Sequence, residues 1–204
     1  MFTITDEEGE YMVKLARATI EAELGLREAP SRADAPKVTQ EKCGIFVTLN
    51  KAGAGSHSLR GCIGYPYPVK RLLDALTESA TNAAFDDPRF PPVKASEMER
   101  ILVEISVLTP PETIRVATPR EHSSHVKVGE DGLIVSRGMR RGLLLPQVAT
   151  DWGWDPEEFL SQCCLKAGLP PDAWLLEGTE VQRFQAIIFA EENPGGAVAR
   201  HELN

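Results

Sequence analysis

From Ile101 to Leu108 the chain alternates without interruption, with Ile101, Val103, Ile105 and Val107 on one side and Leu102, Glu104, Ser106 and Leu108 on the other. Successive side chains of a strand point to opposite faces, so this segment is a strand with one wholly apolar face and one mixed face. Amphipathic helices are available to cover the apolar side. Thr5 and Glu8 form a capping box, and Tyr11, Met12, Leu15, Ala18, Thr19 and Ala22 then recur at helical spacing toward a stop at Gly25. A second helix is expected from Pro68 as its first residue, with Val69, Leu72, Leu73, Leu76, Ala80 and Ala83 on one stripe and an end near Phe85.

The remaining punctuation fills in the order of elements. Gly44–Leu49 reads as a strand that the glycine-rich KAGAGSHS turns back, and residues 59–64 pair with it as a hairpin whose register the loop does not fix. The prolines of Asp86–Pro92 make that segment an ordered loop. Val126–Val128 and Leu133–Val135 flank an Asp131-Gly132 turn, SRGMRRG makes another turn, and Gly142–Leu145 reads as buried strand. Asp155 and Pro156 open a helix that points Phe159, Leu160, Cys163 and Ala167 inward and ends at Gly168 and Pro170. Thr179–Ala190 reads as one long strand before the tail NPGGAVARHELN. Helices interleaved with hairpin-linked strands predict an α+β fold with a largely antiparallel sheet flanked by helices, organised as a single domain over residues 1–190 with a flexible tail at 191–204.

Composition narrows the function class. Lys and Arg number 22 against 30 Asp and Glu, a net charge of −8, which argues against a nucleic-acid partner because phosphate binding needs cationic surface. Neither a GxGxxG turn nor a GxxxxGK[ST] loop is present, so no dinucleotide or P-loop nucleotide site is expected. Cys43, Cys62, Cys163 and Cys164 form no CxxC pair, and two are adjacent, so free thiols rather than disulfides or a zinc site are expected. The start MFTITDEEGEYM has neither a basic region nor an apolar run, and no window reaches the roughly 20 apolar residues of a spanning helix. A cytoplasmic protein without a membrane partner is expected.

The chemistry concentrates in LRGCIG. Extended, it places Leu59, Gly61 and Ile63 on one face and Arg60, Cys62 and Gly64 on the other. A guanidinium about 7 Å along the strand favours the thiolate of Cys62, and glycines let a substrate approach the backbone. The competing reading is a Cys62 that packs as a small buried hydrophobe. A nucleophilic thiol needs a base, for which the candidates are Glu104, His57, His122 and His125. The histidines also read as solvated loop residues, and Glu104 equally as a salt-bridge partner that holds Arg60. Arg137, Arg140 and Arg141, spaced by Gly138 and Gly142, form either an anion cradle or a solvated hairpin tip. Asp86, Asp87 and Arg89 either rim a cleft or cap the preceding helix. Trp152 and Trp154 read as core anchors, and Cys163 and Cys164 as packing.

LRGCIG, DPRFPP, EISVLTPPE, GLLLPQVATDWGWDPEEFL and CLKAGLPPDAW together resemble the AMMECR-one family over nearly the whole chain. The resemblance implies two unequal lobes with a cleft between them and LRGCIG near it, and places the functional positions on Leu59, Arg60, Gly61, Cys62, Ile63 and Gly64. It also implies genomic association with Memo-type and radical-SAM proteins, and it supplies neither a reaction nor a cofactor. Adding Glu104, Arg89 and Arg140 to the site is our own inference. The expected function is an enzyme acting on a small anionic or nucleotide-derived substrate, with Cys62 as nucleophile or general acid/base, Arg60 binding the anion and Glu104 as orienter or base. The alternative is a non-catalytic binding or regulatory module that uses the same cleft for a partner protein or metabolite.

Overall fold

The computed structural model describes residues 2–53 and 59–201. In chain order the elements are α1 (Asp6–Glu23), β1 (Gly44–Lys51), β2 (Leu59–Tyr65), α2 (Leu72–Phe85), β3 (Ile101–Leu108) and β4 (Glu112–Thr113). There follow β5 (Gly132–Arg137), β6 (Arg140–Leu144), α3 (Pro146–Trp152), α4 (Pro156–Lys166), β7 (Glu180–Phe184), β8 (Ala186–Glu191) and β9 (Val198–His201). The fold is α+β, with antiparallel sheets of five strands (β2-β1-β3-β8-β9) and four strands (β4-β7-β5-β6).

The chain divides into two compact units, one built from the segment ending at Leu108 plus the stretch from Ile187 onward, the other from Thr109–Ala186. In the first, helices α1 and α2 pack on each other, α2 lies on β1 and β2, and α1 on β3 and β9. The alternation predicted for Ile101–Leu108 holds, since Ile101, Val103, Ile105 and Val107 are buried among Ile45, Val47, Leu49, Met12, Ile20, Leu72 and Leu76. The Thr5 capping box forms as well, with Glu8 N–H donating to Thr5 Oγ1 at 3.2 Å and Thr5 N–H to Glu8 Oε2 at 2.8 Å. In the second unit α4 covers β5 and β6, and Phe159, Leu160 and Cys163 fill the space over Leu133 and Val135.

Five expectations fail. Helix α2 starts at Leu72 rather than Pro68, because Lys42 bridges to Arg71 and Leu72 N–H bonds to Glu41 O at 2.8 Å, which holds Arg71 extended, while Val69 N–H bonds to Tyr67 O at 2.8 Å in a tight turn. Val126–Val128 is not a strand: the Asp131 carboxylate accepts from Lys127 N–H at 2.9 Å and closes a turn there, so β5 pairs instead with β6 and β7. The strand expected over 179–190 breaks at Gln185, whose backbone is held by Thr109 (Thr109 N–H to Gln185 O, 2.8 Å; Gln185 N–H to Thr109 Oγ1, 2.9 Å), and its halves belong to different sheets. The segment expected as a tail carries β9, which pairs antiparallel with β8. Trp154 packs on the second core, but Trp152, stacked on it at 6.0 Å, is 72% exposed and anchors nothing.

Candidate functional site

Strand β2 is an edge of its sheet, with β1 as its one strand neighbour, so its outer backbone groups need other partners. The proline-rich loop after α2 supplies them. Asp87, 3% exposed, accepts from Cys62 N–H at 2.9 Å, and Arg89 Nη2 donates to Cys62 O at 3.1 Å. Arg89 is itself clamped to Asp87 by Nε–Oδ1 at 2.9 Å and Nη2–Oδ2 at 2.6 Å. The Arg89 hydrogen bond, against the desolvation of the site and helped by the amides of Cys62 and Arg89, holds the Asp87 carboxyl far below the usual carboxylate range. Thus LRGCIG and DPRFPP, separate in sequence, form one structure in which a carboxylate and a guanidinium replace a missing strand at Cys62.

Register sets what lies beside the thiol. Thr48 is opposite Cys62 on β2 and opposite Glu104 on β3, so the three residues form one row across the sheet, on the side away from the helices. Thr48 Oγ1 donates to Cys62 Sγ at 3.4 Å. Burial pushes the Glu104 carboxyl up, an effect that His201 opposes. Glu104 stands two strand spacings from Cys62, each about 4.8 Å, with Thr48 between them. The expected convergence of Cys62 and Glu104 on one face is therefore present, but as a row rather than as a hydrogen-bonded pair.

Arg60 is engaged elsewhere. The register between β1 and β2 shifts between Leu49 and Asn50, which interrupts the alternation at Arg60. Its side chain is buried, donating from Nε and Nη2 to Glu97 at 2.8 and 3.1 Å, with the Phe90 ring 6.0 Å away; Nη1 has no partner among the described residues. The Arg60 bonds in turn hold the Glu97 carboxyl below its ordinary value. The partner of Arg60 is thus Glu97, in the 3₁₀ turn Ala95–Arg100, and not Glu104. Sequence reasoning missed Glu97, because a carboxylate in KASEMER carries no spacing that distinguishes it from its neighbours.

The motif's glycines serve packing. A Cβ on Gly61 would stand 2.1 Å from Ala83 O at the end of α2, and one on Gly64 2.1 Å from Ile45 O, so protein backbone occupies the space expected for a substrate. Ile63 packs on the core, and Leu59 is exposed at the strand's start. In the other unit Arg140 donates to Gly168 O, and Arg137 to Glu177 O and Thr179 Oγ1, both at 2.9 Å. His122, expected in solvent, is buried with Nδ1 2.8 Å from Pro119 O; His125 is exposed, and His57 lies outside the described residues. Cys62 is half-buried, whereas the other three thiols are buried and desolvation pushes them up, Cys43 to about 11 and Cys163 to about 12. Among the described residues no His, Cys, Asp and Glu cluster could hold a metal ion, and no helix is long and apolar enough to cross a membrane.

The AMMECR1 family model matches residues 13–189, a span that contains the Cys62 row, its Asp87–Arg89 bracket and the Arg137–Arg141 turn. The chain belongs to the AMMECR1 family. Protein PF1979 of Pyrococcus furiosus is similar to it at 54% identity over 205 residues, covering 100% of this chain and 97% of that protein. Protein MJ0810 of Methanocaldococcus jannaschii is 50% identical over 203 residues, covering 100% of both. The crystal structure of the uncharacterized protein PH0010 from Pyrococcus horikoshii shares 51% identity and a TM-score of 0.83, covering 99% of this chain and 100% of that one. The AMMECR1 chain thus shares fold and length with archaeal relatives whose names carry no reaction.

Proposed function

We propose that this AMMECR1 protein is an enzyme that acts through the Cys62 thiol on a small molecule lying along the Cys62–Thr48–Glu104 row. The observation that carries the reading is the contrast among thiols: three are buried, and Cys62 alone is half-exposed, with a hydroxyl donor on its sulfur. The Thr48 hydroxyl donates to the sulfur and so holds the Cys62 side chain in one orientation along the row. Asp87 and Arg89 fix the Cys62 backbone from the free edge and so limit the thiol's wandering. Glu104, raised by burial, suits proton exchange with a group on the substrate, since it stands too far off to serve the thiol directly.

Peptide mapping after brief iodoacetamide treatment of the native protein near neutral pH tests this. Cys62 is expected to label at least about tenfold faster than Cys43, Cys163 or Cys164, and Thr48→Val to slow it severalfold. Labelling spread evenly over the four thiols, or absent at Cys62, removes the catalytic reading. The packing roles of Gly61 and Gly64 favour a second reading, a non-catalytic binding module whose motif is architecture. On that reading Cys62→Ser leaves ligand binding and cellular function intact, whereas loss of function at an unchanged melting temperature returns the case to chemistry.

A further inference from the structure

Arg89 is tied to Cys62 by hydrogen bonds that use only part of its guanidinium. Nε and the backbone N–H of Arg89 donate to Asp87 Oδ1 at 2.9 and 3.1 Å. Nη2 spends its two N–H groups on Asp87 Oδ2 at 2.6 Å and on Cys62 O at 3.1 Å. The N–H pair of Nη1 is left without a partner among the described residues, on a side chain that is 52% exposed. Its bonds to Asp87 first of all, and the nearby Cys62 side chain in addition, keep the guanidinium charged, so Arg89 bears on the sulfur as well as on the carbonyl. Asp87 is buried and itself holds Cys62 N–H, and the Phe90 ring lies 5.4 Å from the guanidinium. The free donors of Nη1 are therefore fixed beside the half-exposed thiol before anything binds.

The charge balance says what such donors suit. Arg89 comes with the Asp87 carboxylate on it, and Arg60, in the same motif, with the Glu97 carboxylate. A molecule at the thiol meets fixed N–H donors on a neutral ion pair, which favours an uncharged acceptor oxygen over the anion that Arg60 was expected to bind. Donors held in place are worth most where negative charge develops during a reaction, because they need no reorganisation at that moment. A carbonyl oxygen meets both conditions: it is neutral on arrival and becomes an oxyanion when a thiol adds to its carbon. We propose that the Cys62 site takes an uncharged ester or thioester, with Arg89 Nη1 holding the carbonyl oxygen while Cys62 Sγ attacks the carbonyl carbon. This rests on the thiol reading above. A sulfur electron pair forms the S–C bond and the C=O π pair moves to the oxygen. Its return breaks the bond to the leaving group, which departs with the thiol's proton as an alcohol or thiol. Water then hydrolyses the acyl-Cys62 thioester to a carboxylic acid and the free thiol.

Parallel reactions of the native protein with p-nitrophenyl acetate and with iodoacetamide, each scored at Cys62 by peptide mapping, test the assignment. Acylation puts charge on a carbonyl oxygen, whereas alkylation displaces iodide and puts none there. The ratio of the two rates therefore reads the oxyanion donor and cancels changes in the thiol itself. Arg89→Lys leaves a cation for Asp87 but no forked guanidinium, and is expected to lower the ratio at least about tenfold. The double variant Asp87→Asn, Arg89→Gln strands no buried carboxylate and is expected to lower it as far. Mono-p-nitrophenyl adipate, an ester that carries a carboxylate, is expected to acylate Cys62 no faster than the acetate. Alkylation of Cys62 with an unchanged ratio in both variants overturns the role of Arg89 and leaves the thiol reading standing. A preference of about tenfold or more for the adipate overturns the uncharged substrate class. A Cys62 inert to iodoacetamide overturns the thiol reading and this inference with it.

Discussion

Two stretches of this AMMECR1 chain look alike on paper, Leu59–Gly64 and Ser136–Gly142, each mixing arginine with glycine on a strand. They share one device. Gly61 lets the end of α2 come down on β2, and Gly142 does the same for α4 on β6, where a Cβ would stand 2.5 Å from Ala167 N and 2.6 Å from Cys163 O. They differ in what their arginines meet. Arg60 and its neighbour Arg89 end on carboxylates, Glu97 and Asp87, whereas Arg137 and Arg140 end chiefly on the backbone carbonyls of Glu177 and Gly168. A guanidinium with a partly buried carboxylate makes a fixed, charge-matched scaffold, whereas one on exposed carbonyls closes a turn and keeps its charge in water. Similar composition thus yields a scaffold around a thiol in one unit and a cap on a helix end in the other.

The largest effect expected is on the shared device. Gly61→Val and Gly142→Val should each cost about 3 kcal/mol, because the obstructing atoms are helix backbone and cannot rotate away. Gly138→Ala, at φ +60° with open space around it, should cost only about 1 kcal/mol through backbone strain. Urea denaturation measures all three, and a Gly61→Val protein as stable as the parent would break the parallel between the two stretches.

Next comes the carboxylate that only the first stretch has. Asp87→Asn weakens the Arg89 clamp and the hold on Cys62 N–H, and should cost about 2 kcal/mol as a loss of charge-assisted hydrogen bonds. Its pH dependence has a definite sign. The folded Asp87 carboxyl is held below its unfolded value near 3.9, so its contribution is present above about pH 5 and is lost as pH falls below that value toward the folded one. Asp87→Asn should flatten the acid limb of a stability–pH curve. Glu104 runs the other way and with a smaller amplitude: burial raises it, so stability falls as pH rises through the unfolded value near 4.3, and Glu104→Gln should relieve that loss at neutral pH. A Glu104→Gln protein less stable than its parent at pH 7 would mean that the carboxylate has an unrecognised cationic partner.

How much of this was legible follows from the range of each interaction. Local rules placed the Thr5 cap, the Asp155 cap and the alternation of β3, because each is decided within a few residues. The Cys62–Thr48–Glu104 row was half legible: the faces followed from period two, but the register that sets Thr48 between the others comes from packing of the whole sheet. The Arg60–Glu97 pair was not legible, since a one-residue register shift redirects Arg60 and nothing local announces it. The turn at Asp131 misled for a related reason. An Asp-Gly pair suits a hairpin, yet here the aspartate is buried and spends its side chain on Lys127 N–H.

The smallest expected effect bears hardest on the comparison. Arg140→Ala removes a bond from an exposed guanidinium to Gly168 O, just past the end of α4, and water can replace that donor. The cost should be below about 1 kcal/mol, the scale of a cation near a helix C-terminus plus one solvated hydrogen bond. On the capping account the variant also leaves the rate of Cys62 alkylation unchanged, because Arg140 answers to the helix end and not to the thiol. Iodoacetamide kinetics on Arg140→Ala, run beside Asp87→Asn, therefore ask which arginine–glycine stretch serves the thiol. A slowed Cys62 in the Arg140 variant at an unchanged melting temperature would make the second stretch part of the same site, and the division drawn between the two would fall.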